Sequence, residues 1–204
     1  MRTGVFGGTF NPIHCGHVLL ARTYAAALHL DRVLVIPTYL PPHKAGGQLA
    51  DGCHRLNMCR LAFEGDPVCR VCDIELRRGG KSYTVDTLMQ LARENPGDAF
   101  YLIMGSDMFL SLTQWYDWRQ IIADAVICAG ARGPGQMQAL RAEAARLERL
   151  GARIELVALE PLPFSSTQVR ARVQAGESLA GFVPPEVADY IMENRLYQSS
   201  KGLF

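Results

Sequence analysis

The first twenty residues, Met1 to Leu20, constrain the fold more than any other stretch. A short apolar run, Val5-Phe6, ends at once in Gly7-Gly8, and a hydroxyl follows at Thr9. After Asn11-Pro12, the sequence His14-Cys15-Gly16-His17 leads into an apolar, alanine-rich stretch from Val18 to Leu28. That order predicts strand, glycine turn, loop and helix. Glycines at a strand's end let main-chain N–H groups approach an anion, because no Cβ intervenes. A helix opening just beyond them presents unpaired N–H groups and the positive end of its dipole to the same point. His14 and His17, with a glycine between them, can then address one phosphate at that helix start. Gly7-Gly8 alone would suit an ordinary strand-to-helix turn. The stretch matches neither Gly-x-Gly-x-x-Gly nor Gly-x-x-x-x-Gly-Lys-Ser/Thr, which counts against a hydride-transfer dinucleotide site and a Walker-type NTPase.

The rest of the chain keeps the same rhythm. Val33–Ile36, Phe100–Met104 and Ala125–Cys128 read as strands buried on both faces, and Ile154, Leu156 and Ala158 alternate in a sixth strand nearer an edge. Cys72, Ile74 and Leu76 alternate with Asp73 and Glu75, which predicts a further strand over 71–76 and a basic turn at 77–81. Helical spacing appears in four further places. Leu56, Cys59, Leu61, Ala62 and Phe63 share a face with Arg55 and Arg60 turned outward; Val85, Leu88, Leu91 and Ala92 make a second stripe; Met137, Leu140, Ala144, Leu147 and Leu150 make a third. A short last helix follows Pro184-Pro185. Strands alternating with helices and no second core predict a single Rossmann-like α/β domain over 1–204, doubly wound, with a mostly parallel sheet.

Such sheets bind ligands beyond the carboxyl ends of their strands, so the residues there matter most. The strand at 33–36 delivers Pro41-Pro42-His43-Lys44. The strand at 100–104 delivers Gly105-Ser106-Asp107, whose acid is either a cap for the next helix or an acceptor for ribose hydroxyls. The strand at 125–128 delivers Arg132, either a nucleotide contact or a solvated loop residue. Thr84, with Thr87 behind it, suits capping of the helix that follows. Near the other end of the chain, Ser165-Ser166-Thr167 followed by Arg170 gathers three hydroxyls and a guanidinium at a helix start. A cap needs one hydroxyl, and the rest make an oxyanion receptor.

These pieces resemble a known family. Gly7-Gly8-Thr9-Phe10-Asn11-Pro12-Ile13-His14-x-Gly16-His17 is similar to the motif of the HxGH nucleotidyltransferase superfamily. Within it the chain most resembles the bacterial nicotinate-nucleotide adenylyltransferase family, nearly end to end. Asn11 stands where many members carry Asp. The resemblance implies adenylyl transfer from ATP to nicotinate mononucleotide, with Mg²⁺ accompanying ATP. It implies ATP contacts at Gly7, Gly8, Thr9, Phe10, His17, Gly105, Asp107, Ser165, Ser166, Thr167 and Arg170. Pro-Pro-His-Lys resembles the family's PPHK element, and makes Lys44 a phosphate contact that also meets the acceptor. Ser82-Tyr83-Thr84 before Asp86-Thr87-Leu88 matches its SYTxDTL element beside the pyridine carboxylate. Trp115 aligns with the Trp that stacks on the pyridine; Tyr116 and Arg132 join the acceptor set, while Trp118 reads as core. His14, His17, Lys44 and Arg170 are the expected catalytic residues, and no protein metal site is expected.

Within that class the acceptor could also be the amide nucleotide or phosphopantetheine; the SYT element and Trp115 favour a flat pyridine. A sensor that kept the fold but lost the chemistry is the main reading from another class, and intact His14, His17 and Arg170 oppose it. A formal net charge of +1 gives no reason to expect nucleic acid or membrane partners. No leader or spanning run is visible, so a cytoplasmic location is expected, and a homo-oligomer remains open. The six cysteines (15, 53, 59, 69, 72, 128) contain only one Cys-x-x-Cys, so they read as buried or inert thiols rather than zinc ligands.

Overall fold

Val5 and Phe6 are neighbours in sequence but face opposite sides of one sheet, and each seeds a different half of the core. The structure, a computed structural model, describes residues 1–41, 49–131, 134–159 and 164–198. Six strands, β1 (Arg2–Gly8), β2 (Arg32–Pro37), β3 (Cys69–Val71), β4 (Ala99–Gly105), β5 (Ala125–Ala131) and β6 (Arg153–Ala158), form one sheet in the order β3-β2-β1-β4-β5-β6. Every pairing is parallel. The mostly parallel sheet expected from sequence is therefore wholly parallel among the described residues.

Helices cover both faces, as strands buried on both sides require. On the Phe6 side lie α1 (Cys15–Ala27), α2 (Gly52–Ala62), α8 (Ser166–Ala175) and α9 (Pro185–Glu193). On the Val5 side lie α3 (Ile74–Arg78), α4 (Thr84–Glu94), α5 (Ser106–Leu110), α6 (Trp118–Asp124) and α7 (Pro134–Glu148). Leu88, Leu91, Ile121, Leu140 and Leu147 are all buried there, and each such side chain contributes roughly 1.5–3 kcal/mol of burial. Strand order reverses direction at β1, so the crevice between β1 and β4 is the topological switch point.

Two expectations are corrected. The strand over 71–76 stops at Val71, and Ile74–Arg78 is helical. Arg77 pairs with Asp73 one turn back at 2.8 Å, Ile74 is fully buried, and Glu75 is buried as well. An i, i+2 alternation this short gives way to the contacts a helical turn makes. The second correction is Arg55, expected outward and found 1% exposed. The buried stripe of α2 is Arg55, Met58, Cys59 and Ala62, spaced i, i+3, i+4, i+7. The helix α6 was not expected; it carries the buried Ile121 and Ile122, and Trp118 packs half-buried against the same core.

At the amino ends of the strands, away from the crevice, Asp98 accepts hydrogen bonds from Thr3 Oγ1 (2.7 Å), Arg32 Nη2 (2.8 Å) and the α-amino group of Met1 (3.1 Å). The Thr3 hydroxyl, ahead of the two cations, holds its carboxyl below the usual carboxylate value. A depressed folded-state pKa means stability present above the unfolded value, about 4, and lost as pH falls through the lower folded value. In thermal melts from pH 7 to pH 2, Asp98→Asn is expected to flatten the fall below about pH 4. An unchanged acid limb would show that the contacts carry no such linkage.

Three cysteines, Cys59, Cys69 and Cys128, are buried, and burial pushes the Cys69 and Cys128 thiols up to about 12. Such thiols are poor nucleophiles at neutral pH. Among the described residues, no helix is long and apolar enough to cross a membrane.

Candidate active site

At the carboxyl end of β1 the chain turns sharply. Phe10 takes a left-handed conformation (φ 44°), and its ring is buried, edge-on to Phe6 at 5.4 Å and to His17 at 5.1 Å. A Cβ on Gly8 would stand 2.8 Å from that ring, so only glycine fits the turn without displacing it. Phe10 thus backs Phe6 and His17 with a buried ring. Gly7 is exposed, and Gly8 and Thr9 are half-buried at the crevice.

His14 is the N-cap of α1, and His17 lies in its first turn. The two rings stack with centroids 3.7 Å apart and planes 26° from parallel. The main-chain N–H of His14 donates to His17 Nδ1 at 3.3 Å. With Nδ1 accepting, a neutral His17 carries its proton on Nε2, where it can be donated. Gly16 leaves room for this pairing: a Cβ there would crowd His14 Nδ1 at 3.0 Å and Phe164 Cβ at 3.3 Å.

Phe164 leads directly into the second chemical element. Ser165 is the N-cap of α8 and accepts from the Gln168 N–H at 3.2 Å. The other two hydroxyls are not caps. Ser166 Oγ donates to the Pro12 carbonyl at 2.9 Å, and Thr167 Oγ1 accepts from Arg170 Nη2 at 3.3 Å. Arg170 Nη1 donates to the Asn11 carbonyl at 2.8 Å. The histidine loop and the serine turn, 154 to 159 residues apart along the chain, are therefore stitched together by side-chain-to-main-chain bonds. Asn11 is a strut. Its Oδ1 accepts from Ala50 N–H (3.0 Å) and Tyr197 Oη (2.9 Å), and Asp would supply the same oxygen.

Beside these elements, at the switch point, lies a cavity of about 320 Å³. Its lining includes Gly7, Gly8, Thr9 and Gly105 together with Ser82, Tyr83, Thr84, Trp115 and Tyr116. The Tyr83 and Tyr116 rings lie 4.7 Å apart, with Tyr116 63% exposed at the rim. The cavity thus collects every expected acceptor residue except Lys44 and Arg132, which lie outside the described residues. His14, His17, Asp107, Ser165, Ser166, Thr167 and Arg170 do not line it. Asp107 is exposed in the first turn of α5, whose N-cap position is taken by Gly105, so it is not a cap.

The hydroxyls of the Ser-Tyr-Thr turn differ from expectation. The N-cap of α4 is Tyr83, without a side-chain cap bond, and Thr84 is its first helical residue. Thr87 does not cap either. Its hydroxyl donates to Glu75 Oε1 at 2.7 Å and accepts from Arg78 Nη2 at 2.9 Å. Ser82 Oγ accepts from Tyr39 N–H at 3.0 Å and is hydrogen-bonded to Glu75. The Ser82 and Tyr83 N–H groups donate to the Leu40 and Lys81 carbonyls at 3.0 and 3.1 Å, and the first-turn N–H groups of α4 have no intrahelical acceptor. Glu75 itself lines the cavity. Burial raises its carboxyl above the ordinary range, against the Thr87 and Ser82 hydroxyls and the Arg78 and Arg55 charges that pull it down. Sequence reasoning missed Glu75, because the supposed strand alternation turned it to solvent.

Residues 5–172 match the cytidylyltransferase-like family model. A Geobacter metallireducens protein named "Probable nicotinate-nucleotide adenylyltransferase" is 39% identical over 97% of this chain and 98% of its own length. One of the same name from Shewanella sp. strain MR-4 is 38% identical over 98% of this chain and 100% of its own. The chain belongs to the nicotinate-nucleotide adenylyltransferase family. In fold it is similar to the Plasmodium falciparum nicotinic acid mononucleotide adenylyltransferase complexed with NaAD, with a TM-score of 0.75 at 19% identity over 96% of this chain and 97% of that one. The APC complex of that parasite enzyme gives a TM-score of 0.74 at 18% identity, covering 96% of each chain.

Proposed function

We propose that this chain transfers AMP from ATP to nicotinate mononucleotide, releasing pyrophosphate and giving nicotinate adenine dinucleotide. The observation that carries this is the relatives' end-to-end similarity under that activity's name. An oxygen of the mononucleotide's 5′-phosphate attacks the α-phosphorus of ATP as the bond to the β-phosphate oxygen breaks opposite it. The nucleophile is already an anion, so no proton need be removed. Catalysis then rests on aligning two polyanions and on neutralising charge at the α-phosphate.

In this reading His14 and His17 donate to α-phosphate oxygens, while the Gly7–Thr9 turn and Ser165, Ser166, Thr167 and Arg170 hold the triphosphate. Gly105 and Asp107 meet the adenosine. Lys44 and Arg132 add cationic contacts. Tyr83, Thr84, Trp115 and Tyr116 receive the pyridine, with the amides at the start of α4 available for its carboxylate. Mg²⁺ is expected to accompany ATP. When bound, it would neutralise phosphate charge. All 204 residues are read as one domain, acting on small molecules in the cytoplasm.

The test is an acceptor panel with ATP and Mg²⁺, reading pyrophosphate release. Nicotinate mononucleotide is expected to be preferred over nicotinamide mononucleotide by on the order of tenfold or more in kcat/KM, as recognition through a satisfied polar group allows. Phosphopantetheine is expected to give no release. Faster turnover with the amide, or none with either pyridine, would refute the assignment.

A further inference from the structure

Arg55 is among the largest side chains in the core and is 1% exposed. A buried charge usually has a carboxylate partner. Here all three guanidinium nitrogens donate to main-chain carbonyls: Nε to Ala50 (2.9 Å), Nη1 to Thr9 (2.9 Å) and Nη2 to Tyr39 (3.2 Å). These carbonyls come from three separate segments. Thr9 closes the glycine turn after β1, Tyr39 follows β2, and Ala50 precedes α2.

The Tyr39 main chain also reaches the lining of the cavity, since its N–H donates to Ser82 Oγ, which is bonded in turn to Glu75. Ala50 is tied to the histidine loop through Asn11 Oδ1 at 3.0 Å. One planar fork thus gathers segments that border the glycine turn, the histidine loop and the Ser-Tyr-Thr turn. An apolar residue of equal length would fill the core but leave three carbonyls without their donor. A lysine would keep the charge, yet one ammonium cannot reproduce a planar fork's fixed spread of donors.

We propose that Arg55 is a positioning residue, setting the glycine turn at Thr9 and the exit of β2 at Tyr39 in the spacing the two substrates require. This rests on the adenylyl-transfer reading of the site. Arg55 touches neither substrate, and acts through the main chain it holds.

The test compares Arg55→Met and Arg55→Lys with wild type and with Asp98→Asn, a control at the opposite end of the sheet. Steady-state kinetics are read well below each variant's melting temperature, with hydrogen exchange measured by mass spectrometry. Arg55→Met is expected to lose on the order of 10²-fold in kcat/KM, the scale of an ångström of misplacement. The loss should include raised KM values for both ATP and the mononucleotide. Exchange should accelerate in peptides covering 7–11 and 38–41 while β4 and β5 stay protected. Arg55→Lys is expected to fall about tenfold, retaining the charge but not the fork, and it carries the test if the methionine variant does not fold. Asp98→Asn should lose stability with unchanged kinetics per folded molecule. Kinetics of the Arg55 variants within about twofold of wild type would overturn the proposal, that being the scatter expected of neutral substitutions. So would exchange that rises equally across the sheet. If wild type releases no pyrophosphate with any acceptor, the functional reading fails, and the exchange comparison still decides whether Arg55 holds the two segments.

Discussion

Replacing His17 with alanine is expected to lower turnover by on the order of 10²–10³-fold, about 3–4 kcal/mol in the barrier, and to leave the protein folded. The size follows from what the ring would do, under the proposed function, in an adenylyl transfer that needs no general base. Negative charge moves onto the oxygens around the α-phosphorus, and a fixed N–H donor there stabilises the transition state more than bound ATP. His17 is fixed on three sides. Its Nδ1 accepts from the His14 main chain at 3.3 Å, its face stacks on His14 at 3.7 Å, and the Phe10 ring meets it edge-on at 5.1 Å. That placement costs no reorganisation during the reaction.

Because the side chain is half-buried, its removal costs only a small cavity, and the melting temperature should fall by a few degrees at most. His17→Gln keeps an N–H donor on a longer, floppier stem and is expected to recover part of the loss. The measurement is kcat from pyrophosphate release, with circular dichroism confirming the fold. An alanine variant turning over at near the wild-type rate would remove His17 from the chemistry.

What the sequence revealed, and what it hid, divides along a physical line. Glycines before His14-x-Gly16-His17, apolar runs of strand length and a serine-rich helix start each carry their meaning locally, so strand, turn and helix could be read in place. The meeting of Ser166 with Pro12 and of Arg170 with Asn11 depends on chain reversal at the switch point. Sequence could only anticipate it from the α/β alternation.

Two misreadings came from buried charge. Glu75 was turned outward by the supposed strand alternation over 71–76, yet Thr87 and Ser82 supply it with hydroxyls from another element. Arg55 was turned outward as a charged residue, although its spacing to Met58, Cys59 and Ala62 already put it on the buried stripe. Periodicity was the better guide there, and chemical type the worse. The capping role given to Thr84 and Thr87 failed differently, since a tertiary acceptor, Glu75, took the Thr87 hydroxyl a local cap would have used.

Arg170→Ala is expected to reduce kcat/KM for ATP by on the order of 10²–10³-fold, through both kcat and KM, since charge-assisted and preorganised donors are lost together. The guanidinium has two tasks. One nitrogen holds the Asn11 carbonyl at 2.8 Å, and another reaches Thr167 Oγ1 at a longer 3.3 Å. The first bond sets the histidine loop against α8. The second is long enough to yield to a stronger acceptor, as a phosphate oxygen would be. Arg170→Lys separates the tasks: it keeps the positive charge for the triphosphate but cannot hold two acceptors in a planar fork. It should therefore recover ATP affinity more fully than turnover, because binding senses charge while the α-phosphorus must also be aligned. Loss of the Asn11 bond alone costs about 1–3 kcal/mol of stability, so kinetics must be normalised to folded protein. If the alanine variant keeps kcat and the ATP KM within about threefold of wild type, the serine turn and its arginine are a structural brace. The triphosphate would then have to be held elsewhere in the crevice.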